Sequence, residues 1–173
     1  ENKIIKFISK KKFEAKIIIS KDGKKLLGTG GAVKKATKKI KKDFFLMYGD
    51  TFLPIDFKKV ENTYFKQKRP ALMTIYKNNN KYDKSNVFYN KKTLIYNKEI
   101  YDKKMNYIDY GLLIFNKKVL KNNKKSIFSL SSLLEKLSLK NLIIGHTVYK
   151  RFYEIGSMKG LKETKKYLKN YEL

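Results

Sequence analysis

The apolar positions of this chain follow two different periods, and each period predicts one kind of element. Apolar residues recur every three or four positions, as on one face of a helix, in five segments: 2–8, 31–41, 56–68, 127–139 and 157–168. Shorter runs rich in β-branched and aromatic residues predict strands: 14–20, 44–48, 71–77, 85–89, 93–97, 106–115 and 142–152. Asp56 and Ser157 stand where N-caps are expected, and residues 90–92 join two short strands as a hairpin.

The order of these elements predicts a single α/β domain over residues 1–173, built on a mixed sheet. The sequence contains no internal repeat and no linker rich in proline or serine. In such folds, ligands bind beyond the carboxyl ends of strands, where loops leave the sheet. Three segments with functional groups fall at such positions: 28–31, 49–50 and 153–157.

Composition supports a folded protein and narrows its class. The chain is 42% hydrophobic, which is enough for a core at this length despite a net charge of +27. It has no cysteine, so disulfides, thiolate nucleophiles and cysteine-ligated zinc are excluded. No apolar run approaches the roughly 20 residues of a membrane span. We therefore expect a cytoplasmic protein that does not enter a membrane.

The positive charge is open to two interpretations. A pI near 10.0 is typical of proteins that bind nucleic acids, whose phosphates Lys and Arg neutralise. The lysines, however, are spread along the whole chain together with many Asn, Ile, Tyr and Phe residues, which AT-rich codons encode. Arginine, which forms bidentate contacts to bases and phosphates, occurs only at Arg69 and Arg151. Compositional bias is the favoured explanation, and a basic nucleic-acid-binding module is the alternative.

Glycines and carboxylates at predicted strand ends are the candidate chemistry. Three of the nine glycines fall within residues 28–31, and glycine is favoured where a ligand must approach the backbone closely. Asp50, after Gly49 at a strand end, is placed to hold Mg²⁺, which prefers one or two carboxylates with phosphate oxygens and water. Glu154 is a candidate second ligand. The alternatives are that Asp50 caps a turn and that Glu154 merely precedes a helix N-terminus.

Four motifs carry a resemblance to a known family. They are "LLGTGGAV" from Leu26, "FFLMYGDTF" from Phe44, "YIDYGLLIF" from Tyr107 and "RFYEIGSMKGL" from Arg151. In this order they resemble the sugar-phosphate nucleotidyltransferases over residues 26–173. Within that family the chain is most similar to the D-glycero-D-manno-heptose 1-phosphate guanylyltransferase branch, through "SNV" at 85–87, "YIDYG" at 107–111 and "FYEIGS" at 152–157.

The resemblance implies a fold and an activity. The fold would be that of nucleotide-diphospho-sugar transferases, Rossmann-like and GT-A-like, with helices on both faces of the mixed sheet. The enzyme would join a nucleoside triphosphate, with GTP favoured, to a sugar 1-phosphate of heptose or mannose type and release pyrophosphate, with Mg²⁺ as cofactor. Its product would be a nucleotide-sugar for cell-surface polysaccharide such as lipopolysaccharide.

The resemblance also implies roles for individual residues. The nucleotide would lie against residues that expose their backbone: Leu27, Gly28, Thr29, Gly30, Gly31 and Gly49. Asp50 and Glu154 would hold the catalytic Mg²⁺, and Lys98 would meet the sugar phosphate as a second catalytic residue. A shifted register would give that role to another lysine: Lys92, Lys103 or Lys104. The sugar pocket would be lined by three residues: Asn86, Tyr110 and Gly111.

One part of the family pattern has no counterpart in this sequence. Family members begin with a strand and a glycine-rich loop of the form G-x-G-T-R-L, followed later by P-K, which wraps the triphosphate. We therefore expect the first strand and its loop to be missing, so that the domain is N-terminally incomplete and one strand edge is open to association, including a homo-oligomer. Because backbone N–H groups of such a loop bind anions, we expect residues 1–173 alone to turn over little substrate. An inactive fragment of such an enzyme is the alternative.

Two of these assignments predict features of the three-dimensional structure. Two carboxylates that share one Mg²⁺ must converge, so Asp50 and Glu154 are expected within about 8 Å of each other. Binding of a base at residues 28–31 predicts a bare backbone shelf on the same edge of the sheet.

Overall fold

The computed structural model describes residues 2–100 and 102–170, and six α-helices and eight strands form within them. The helices are α1 (Asn2–Ser9), α2 (Gly28–Ala36), α3 (Phe57–Lys66), α4 (Lys117–Lys121), α5 (Leu130–Leu139) and α6 (Met158–Lys169). The strands are β1 (Phe44–Met47), β2 (Thr51–Phe52), β3 (Ala71–Lys77), β4 (Val87–Tyr89), β5 (Leu94–Tyr96), β6 (Tyr107–Phe115), β7 (Ile143–Val148) and β8 (Tyr153–Glu154). None of these helices is long and apolar enough to cross a membrane.

One mixed sheet organises the molecule. Its strands run in the order β5-β4-β6-β3-β7, and β1 pairs with the second half of β6. The β3–β7 pair is parallel, and the other pairs are antiparallel. The central strand is therefore β6, which has β3 on one side and β4 followed by β1 on the other. A separate two-stranded unit pairs β2 with β8.

Helices cover both faces of the sheet, as the resemblance implies. On one face, Leu134 of α5 packs into a cluster with Met73 and Phe115. On the other face, Val60 of α3 packs into a cluster with Leu72. The neighbours Leu72 and Met73 enter opposite clusters because successive side chains of a strand point to opposite faces. The predicted α/β architecture with a mixed sheet is confirmed.

Side-chain caps fix the starts of α3 and α6. Asp56 Oδ1 accepts hydrogen bonds from the N–H groups of Lys58 and Lys59 at 2.9 and 3.2 Å. Ser157 Oγ accepts one from the N–H of Gly160 at 2.9 Å. Each cap satisfies backbone donors that have no partner within the helix and contributes about 1 kcal/mol. Both predicted N-caps are confirmed.

The strand predicted at residues 14–20 does not form. The segment has no regular secondary structure and joins no sheet in the described part of the chain. Ile17, Ile18 and Ile19 are 44%, 71% and 43% exposed. A β-branched run becomes a strand only where a neighbouring strand supplies hydrogen bonds and an apolar face, and the pattern of a single segment does not contain that information.

Other boundaries differ from the predictions for local reasons. Helix α2 begins at Gly28 rather than at residue 31, and it ends at Ala36 before a short 3-10 turn, Thr37–Lys39. The strand predicted at 142–152 divides into β7 and, after a loop, β8. Helix α4 and strand β2, of five and two residues, are too short to show a period.

The outer edge of β1 carries no strand in the described part of the chain, because the pairing of β1 is with β6 alone. Phe45 and Met47 share one face of β1 and are 39% and 52% exposed. Phe45 contacts Phe57 of α3 edge to face, with ring centroids 5.6 Å apart. An edge of this kind offers free N–H and C=O groups to another strand.

Candidate functional site

A cleft of about 940 Å³ opens at the edge of the sheet where β1 ends and β6 begins. The loops after β1 and β5 and the first turns of α2, α5 and α6 contribute to its walls. Seven residues that the sequence predicts for the site line this cleft: Thr29, Asp50, Asn86, Lys98, Tyr110, Gly111 and Glu154. Five other predicted residues lie outside its lining: Leu27, Gly28, Gly30, Gly31 and Gly49. Elements far apart in sequence thus bring most of the predicted side chains together.

Asp50 and Glu154 converge at one end of the cleft. The antiparallel pair β2–β8 places Thr51 opposite Glu154, and the N–H of Ile155 donates to Asp50 O at 2.9 Å. The point where Gly156 would carry a Cβ is 2.9 Å from Glu154 Oε2 and 3.6 Å from Asp50 Oδ2. The two carboxylate oxygens are therefore less than about 7 Å apart, which one bound cation can span. The prediction that they lie within about 8 Å is confirmed.

The first turn of α6 holds the Glu154 carboxylate in place. Glu154 Oε2 accepts a hydrogen bond from the N–H of Gly156 at 2.6 Å, and Oε1 accepts one from Ser157 Oγ at 2.9 Å. A Cβ on Gly160 would overlap this carboxylate, so glycine is needed there for the close approach. The positive end of the α6 dipole also favours a carboxylate at this position.

The two carboxylates fit a hard divalent cation. Asp50 is exposed to the cleft, and its Oδ1 accepts a hydrogen bond from Thr51 Oγ1 at 3.2 Å. Within residues 2–100 and 102–170, no group of three or more Asp, Glu, His or Cys side chains could form a metal site. This donor set suits Mg²⁺, which takes one or two carboxylates and fills its remaining positions with phosphate oxygens and water.

A network of hydrogen bonds centred on Asp109 forms the floor of the cleft. Asp109 Oδ2 accepts from Tyr48 Oη at 2.5 Å, and Oδ1 accepts from the N–H of Gly111 at 3.0 Å. The N–H of Asp109 donates to Asn86 Oδ1 at 2.9 Å. Gly111 has a φ of +97°, and a Cβ there would lie 3.3 Å from the Tyr48 ring, so this position requires glycine.

Asp109 is a residue of the cleft that the sequence interpretation missed. Burial raises the pKa of its carboxyl, against the opposing effects of the Tyr48 and Gly111 hydrogen bonds and the charge of Lys98. Burial and the neighbouring Asp109 likewise raise the pKa of the Tyr48 hydroxyl. The available signal was one acidic residue inside the otherwise apolar and aromatic strand "YIDYGLLIF".

Of the lysines considered for the sugar phosphate, Lys98 is the one that lines the cleft. It follows β5, and its charge acts on the Asp109 carboxyl. The three alternative lysines that a shifted register would use are absent from the described lining of the cleft: Lys92, Lys103 and Lys104. The structure therefore places Lys98 in the cleft, and its role toward a sugar phosphate stays a prediction.

Arg151 adds another cation to the lining of the cleft. Its guanidinium lies over the ring of Tyr82 at 3.9 Å and that of Tyr153 at 4.5 Å, measured to the ring centroids. Its Nη2 donates to Glu163 Oε2 at 2.7 Å, and this hydrogen bond lowers the pKa of Glu163. Stacking and a directed ion pair require the planar guanidinium, which explains an arginine in a chain whose other cations are almost all lysine.

The structure corrects the expectation of a bare shelf at residues 28–31. This segment is the first turn of α2, and the N–H groups of Gly30 and Gly31 donate to Phe128 O at 3.0 and 3.2 Å. A Cβ on Gly30 would overlap the Phe128 ring, so this glycine serves the packing of α2 against the segment before α5. The cleft adjoins the turn through Thr29, and the nucleotide-binding role of residues 27–31 stays a prediction.

The charge of the cleft differs from that of the chain. Among the described residues, five carboxylates line it: Asp50, Asp83, Asp109, Glu154 and Glu163. Three cations join them: Lys98, Arg151 and Lys159. An interface for a phosphate backbone is basic throughout, so this cleft lacks the character of a nucleic-acid-binding surface despite the net charge of +27.

Solved structures share this architecture. No protein-family model and no curated protein sequence matches the chain. The fold is similar to the inositol-1-phosphate CTP transferase from T. maritima, with a TM-score of 0.67 and 19% identity over 83% of this chain and 62% of that one. It is similar to HddC from Yersinia pseudotuberculosis complexed with GMP-PN, with a TM-score of 0.72 and 20% identity over 96% of this chain and 74% of that one.

A third similar structure is a UDP-glucose pyrophosphorylase complexed with UDP-glucose, with a TM-score of 0.63 and 16% identity. The match covers 86% of this chain and 64% of the pyrophosphorylase. This chain therefore spans less than two thirds of the length of the pyrophosphorylase and of the T. maritima protein. These similarities show the fold: a nucleotidyltransferase, or nucleotide-diphospho-sugar transferase, fold with a mixed sheet and helices on both faces.

Proposed function

We propose that this chain carries the catalytic cleft of a sugar-phosphate nucleotidyltransferase. Such an enzyme joins a nucleoside triphosphate to a sugar 1-phosphate and releases pyrophosphate. The observation that carries the proposal is the convergence of Asp50 and Glu154 in a cleft that also contains Lys98. The T. maritima inositol-1-phosphate CTP transferase and the UDP-glucose pyrophosphorylase, which have the same fold, support it.

Within this class we favour GTP and a sugar 1-phosphate of heptose or mannose type. The motifs "YIDYG" and "FYEIGS" support this choice, as does the similarity to HddC, whose structure contains GMP-PN. The product would be a nucleotide-sugar precursor of cell-surface polysaccharide, made in the cytoplasm.

The reaction asks little covalent chemistry of the protein. An oxygen of the sugar phosphate attacks the α-phosphorus, a new P–O bond forms, and the bond to the β-phosphate breaks so that pyrophosphate leaves. The attacking phosphate is already ionised at neutral pH, so no general base is needed. The side chains must orient the two phosphates in line and neutralise their charge.

Residues of the cleft could perform both tasks, orienting the phosphates and neutralising their charge. Asp50 and Glu154 would hold Mg²⁺, which, when bound, neutralises charge on the reacting phosphates. Lys98, which also lines the cleft, would supply a positive charge for the sugar phosphate. The hydrogen bonds from Gly156 and Ser157 fix the Glu154 carboxylate, which reduces the reorganisation needed during reaction.

The test measures pyrophosphate and nucleotide-sugar formation from GTP, CTP, UTP or dTTP with mannose 1-phosphate or a heptose 1-phosphate, with and without Mg²⁺. It is run on residues 1–173 and on a version extended upstream by a family strand and glycine-rich loop, which we expect to be the faster enzyme. Asp50→Asn and Glu154→Gln should each lower the rate about 10²–10³-fold, because each removes a carboxylate that would hold the Mg²⁺ that stabilises the transition state. Asp43→Asn, outside the cleft, is the control.

A second readout does not depend on turnover. Electron paramagnetic resonance should detect Mn²⁺ bound in the presence of GTP, and Asp50→Asn should weaken that binding at least tenfold. Metal-dependent GTP binding without product from either version would favour the inactive fragment. Absence of both binding and turnover, together with salt-sensitive binding of DNA or RNA, would replace the proposal with the nucleic-acid-binding module.

A further inference from the structure

A second concave surface lies at the end of the sheet opposite the cleft, where β1 and β3 begin and β6 ends. It is a groove of about 380 Å³, called the basic groove below. Its described lining includes three cations, two aromatic rings and one carboxylate: Lys68, Arg69, Lys118, Tyr64, Phe65 and Asp43. Asp43 Oδ2 accepts a hydrogen bond from Tyr64 Oη at 2.8 Å. The cations thus outnumber the carboxylate, and that carboxylate already has a donor.

The positive charge around the basic groove exceeds what the composition of the chain explains. Four segments form or adjoin the groove: 41–43, 66–69, 91–92 and 116–121. The third joins it through Arg69 Nη1, which donates to Lys92 O at 3.5 Å. These segments contain ten lysines and arginines and one acidic residue, whereas the whole chain has 42 and 15. A codon bias would raise lysine everywhere, so it does not explain a concentration at one end of the sheet.

Arg69 is one of the two arginines of the chain, and it keeps free donors in this groove. Its hydrogen bonds in the described part of the chain run from Nη1 to Lys92 O and Ile143 O, each at 3.5 Å. Nε and Nη2 are therefore available for a bidentate contact, which a guanidinium makes to a phosphate. Lys68 and Lys118 are exposed, and neither forms an ion pair with a described residue.

Phe65 adds an aromatic surface beside these cations. Its side chain is 63% exposed, and its ring contacts Tyr64 edge to face with centroids 5.3 Å apart. Cations alone attract any polyanion, but an exposed ring next to them can also stack on an unpaired base. The bases of a duplex already stack on one another, and a lipid headgroup offers no base. The combination therefore favours a single strand over a duplex or a membrane.

We infer that the basic groove binds single-stranded nucleic acid, with a base stacked on Phe65 and phosphates bound by Lys68, Arg69 and Lys118. This is a second function, at a surface separate from the cleft, and it does not depend on the proposed reaction. Because the adjoining segments are also basic, a strand of several nucleotides gains contacts that a free nucleotide lacks. Binding is independent of base sequence, since phosphates and base faces are common to all nucleotides.

The test measures fluorescence anisotropy of a labelled oligo(U) of about 12 nucleotides, from about 0.05 to 0.2 M salt. The triple groove variant combines three substitutions: Lys68→Gln, Arg69→Gln and Lys118→Gln. It should weaken binding at least about tenfold and reduce the slope of log K against log salt by about 2, since each phosphate contact contributes about 0.7.

A triple variant on α6 is the charge-matched control. It combines substitutions of three exposed lysines outside the groove: Lys162→Gln, Lys165→Gln and Lys166→Gln. It removes the same net charge, and it should change the affinity less than about twofold, because distant exposed charges are screened.

Substitutions of Phe65 test the stacking contact. Phe65→Ala should weaken binding about 5- to 100-fold, whereas Phe65→Tyr, which keeps a ring, should change it less than about threefold. Tyr149→Ala is the control, because Tyr149 is an aromatic residue outside the groove that is 89% exposed. It should bind the strand as wild type does.

Several outcomes would overturn the inference. Equal losses in the two triple variants would show that binding follows net charge alone. Wild-type affinity in Phe65→Ala, or equal affinity for a duplex of the same length, would indicate a site for any polyanion. Competition by UMP at the concentration at which unlabelled oligo(U) competes would indicate a site for a small phosphorylated ligand.

Two further measurements keep the test decisive. If circular dichroism shows that the triple groove variant does not fold, the exposed pair Lys68→Gln and Lys118→Gln replaces it, with the pair Lys162→Gln and Lys165→Gln as control. The groove variants should change nucleotide-sugar formation less than about twofold, because their residues lie outside the lining of the cleft. Failure of this inference is therefore distinguishable from failure of the proposed function.

Discussion

Two tyrosine–aspartate pairs hold the two ends of β1, and they do so in different surroundings. At the cleft end, Tyr48 donates to Asp109 on β6 at 2.5 Å, and the pKa of both groups is raised by burial. At the opposite end, Tyr64 of α3 donates to Asp43, directly before β1, at 2.8 Å. Asp43 lies in a smaller groove of about 380 Å³ together with three cations: Lys68, Arg69 and Lys118.

The difference shows which feature marks a functional site. The Tyr64–Asp43 hydrogen bond ties a helix to a strand, and cations share its groove, so it needs no further explanation than stability. The Tyr48–Asp109 hydrogen bond has the same chemistry, but its carboxylate faces a cleft and is less stable as an anion than it would be in water. A carboxyl whose pKa is raised by burial in the lining of a cleft is therefore more informative than the hydrogen bond it makes.

The largest expected difference is between two lysine-to-methionine substitutions, one at each end. Lys98→Met should lower the rate of nucleotide-sugar formation about 10²-fold, because it removes a positive charge placed to meet the sugar phosphate. Lys92→Met, in the turn at the opposite end, should change the rate less than twofold. Equal losses in the two variants, measured as kcat/KM for the sugar phosphate, would contradict the distinction between the ends.

A smaller effect, on stability, distinguishes a glycine needed for packing from one that is not. Gly31→Ala should lower the free energy of unfolding by about 1–2 kcal/mol in urea denaturation, because its Cβ would overlap Ser126 O and this outweighs the gain in helix propensity of about 1 kcal/mol. Gly49→Ala, where the added Cβ meets no atom within 4 Å, should change it by less than about 0.5 kcal/mol. If Gly31→Ala is as stable as wild type, the packing explanation for this glycine is wrong.

The two aspartates themselves should respond with opposite signs. Asp109→Asn should raise the free energy of unfolding by about 1 kcal/mol at pH 7, since it keeps the hydrogen bonds and removes a carboxyl group whose pKa is raised by burial. Asp43→Asn should lower it by about 0.5–1 kcal/mol, since a charged acceptor for Tyr64 becomes neutral. As the pH rises above 3.8, the unfolded chain loses the Asp109 proton first, so wild type loses stability that Asp109→Asn keeps. Changes of the same sign would remove the contrast.

The smallest effect concerns His146, which lies on β7 between the two ends. Its Nδ1 and Thr63 Oγ1 are 2.8 Å apart, and burial lowers its pKa from the ordinary value of 6.5. Below pH 6.5 the unfolded chain takes up the proton first, so stability should be complete above that pH and fall by less than about 1 kcal/mol as the pH drops to the folded pKa. Because His146 is the single histidine, His146→Asn should flatten thermal denaturation between pH 7.5 and 5.5. An unchanged slope would exclude the histidine as its source.

The sequence was sufficient for most elements and for the carboxylates of the site. Periodicity identifies β3, β6 and α5, because each has one or both faces in a core. Asp50 and Glu154 could be paired because strand ends meet at one edge of a sheet, and the family resemblance ordered them along the chain. Residues 14–20 could not be predicted, because strand formation depends on a neighbour that the segment itself does not specify.

The sequence also could not predict the role of residues that depends on contacts across the sheet. The hydrogen bonds of Asp109 come from Tyr48 and Gly111, and Tyr48 lies 61 residues away in the sequence. The expectation of a bare shelf at Gly30 was wrong because a glycine cluster is equally compatible with a ligand and with a close-packed neighbour, here the ring of Phe128. A glycine in the sequence shows that the backbone can accept a close contact, but it does not show which group makes that contact.

The unpaired edge of β1 also bears on the colloidal behaviour of the protein. Exposed Phe45 and Met47 beside free backbone groups favour edge-to-edge contact between copies. A net charge of +27 opposes that contact through a repulsion that extends about 10 Å at 0.1 M ionic strength and about 3 Å at 1 M. The repulsion between lysines outside the cleft thus keeps copies of the protein apart. Concentrated salt should cause precipitation because it screens this repulsion.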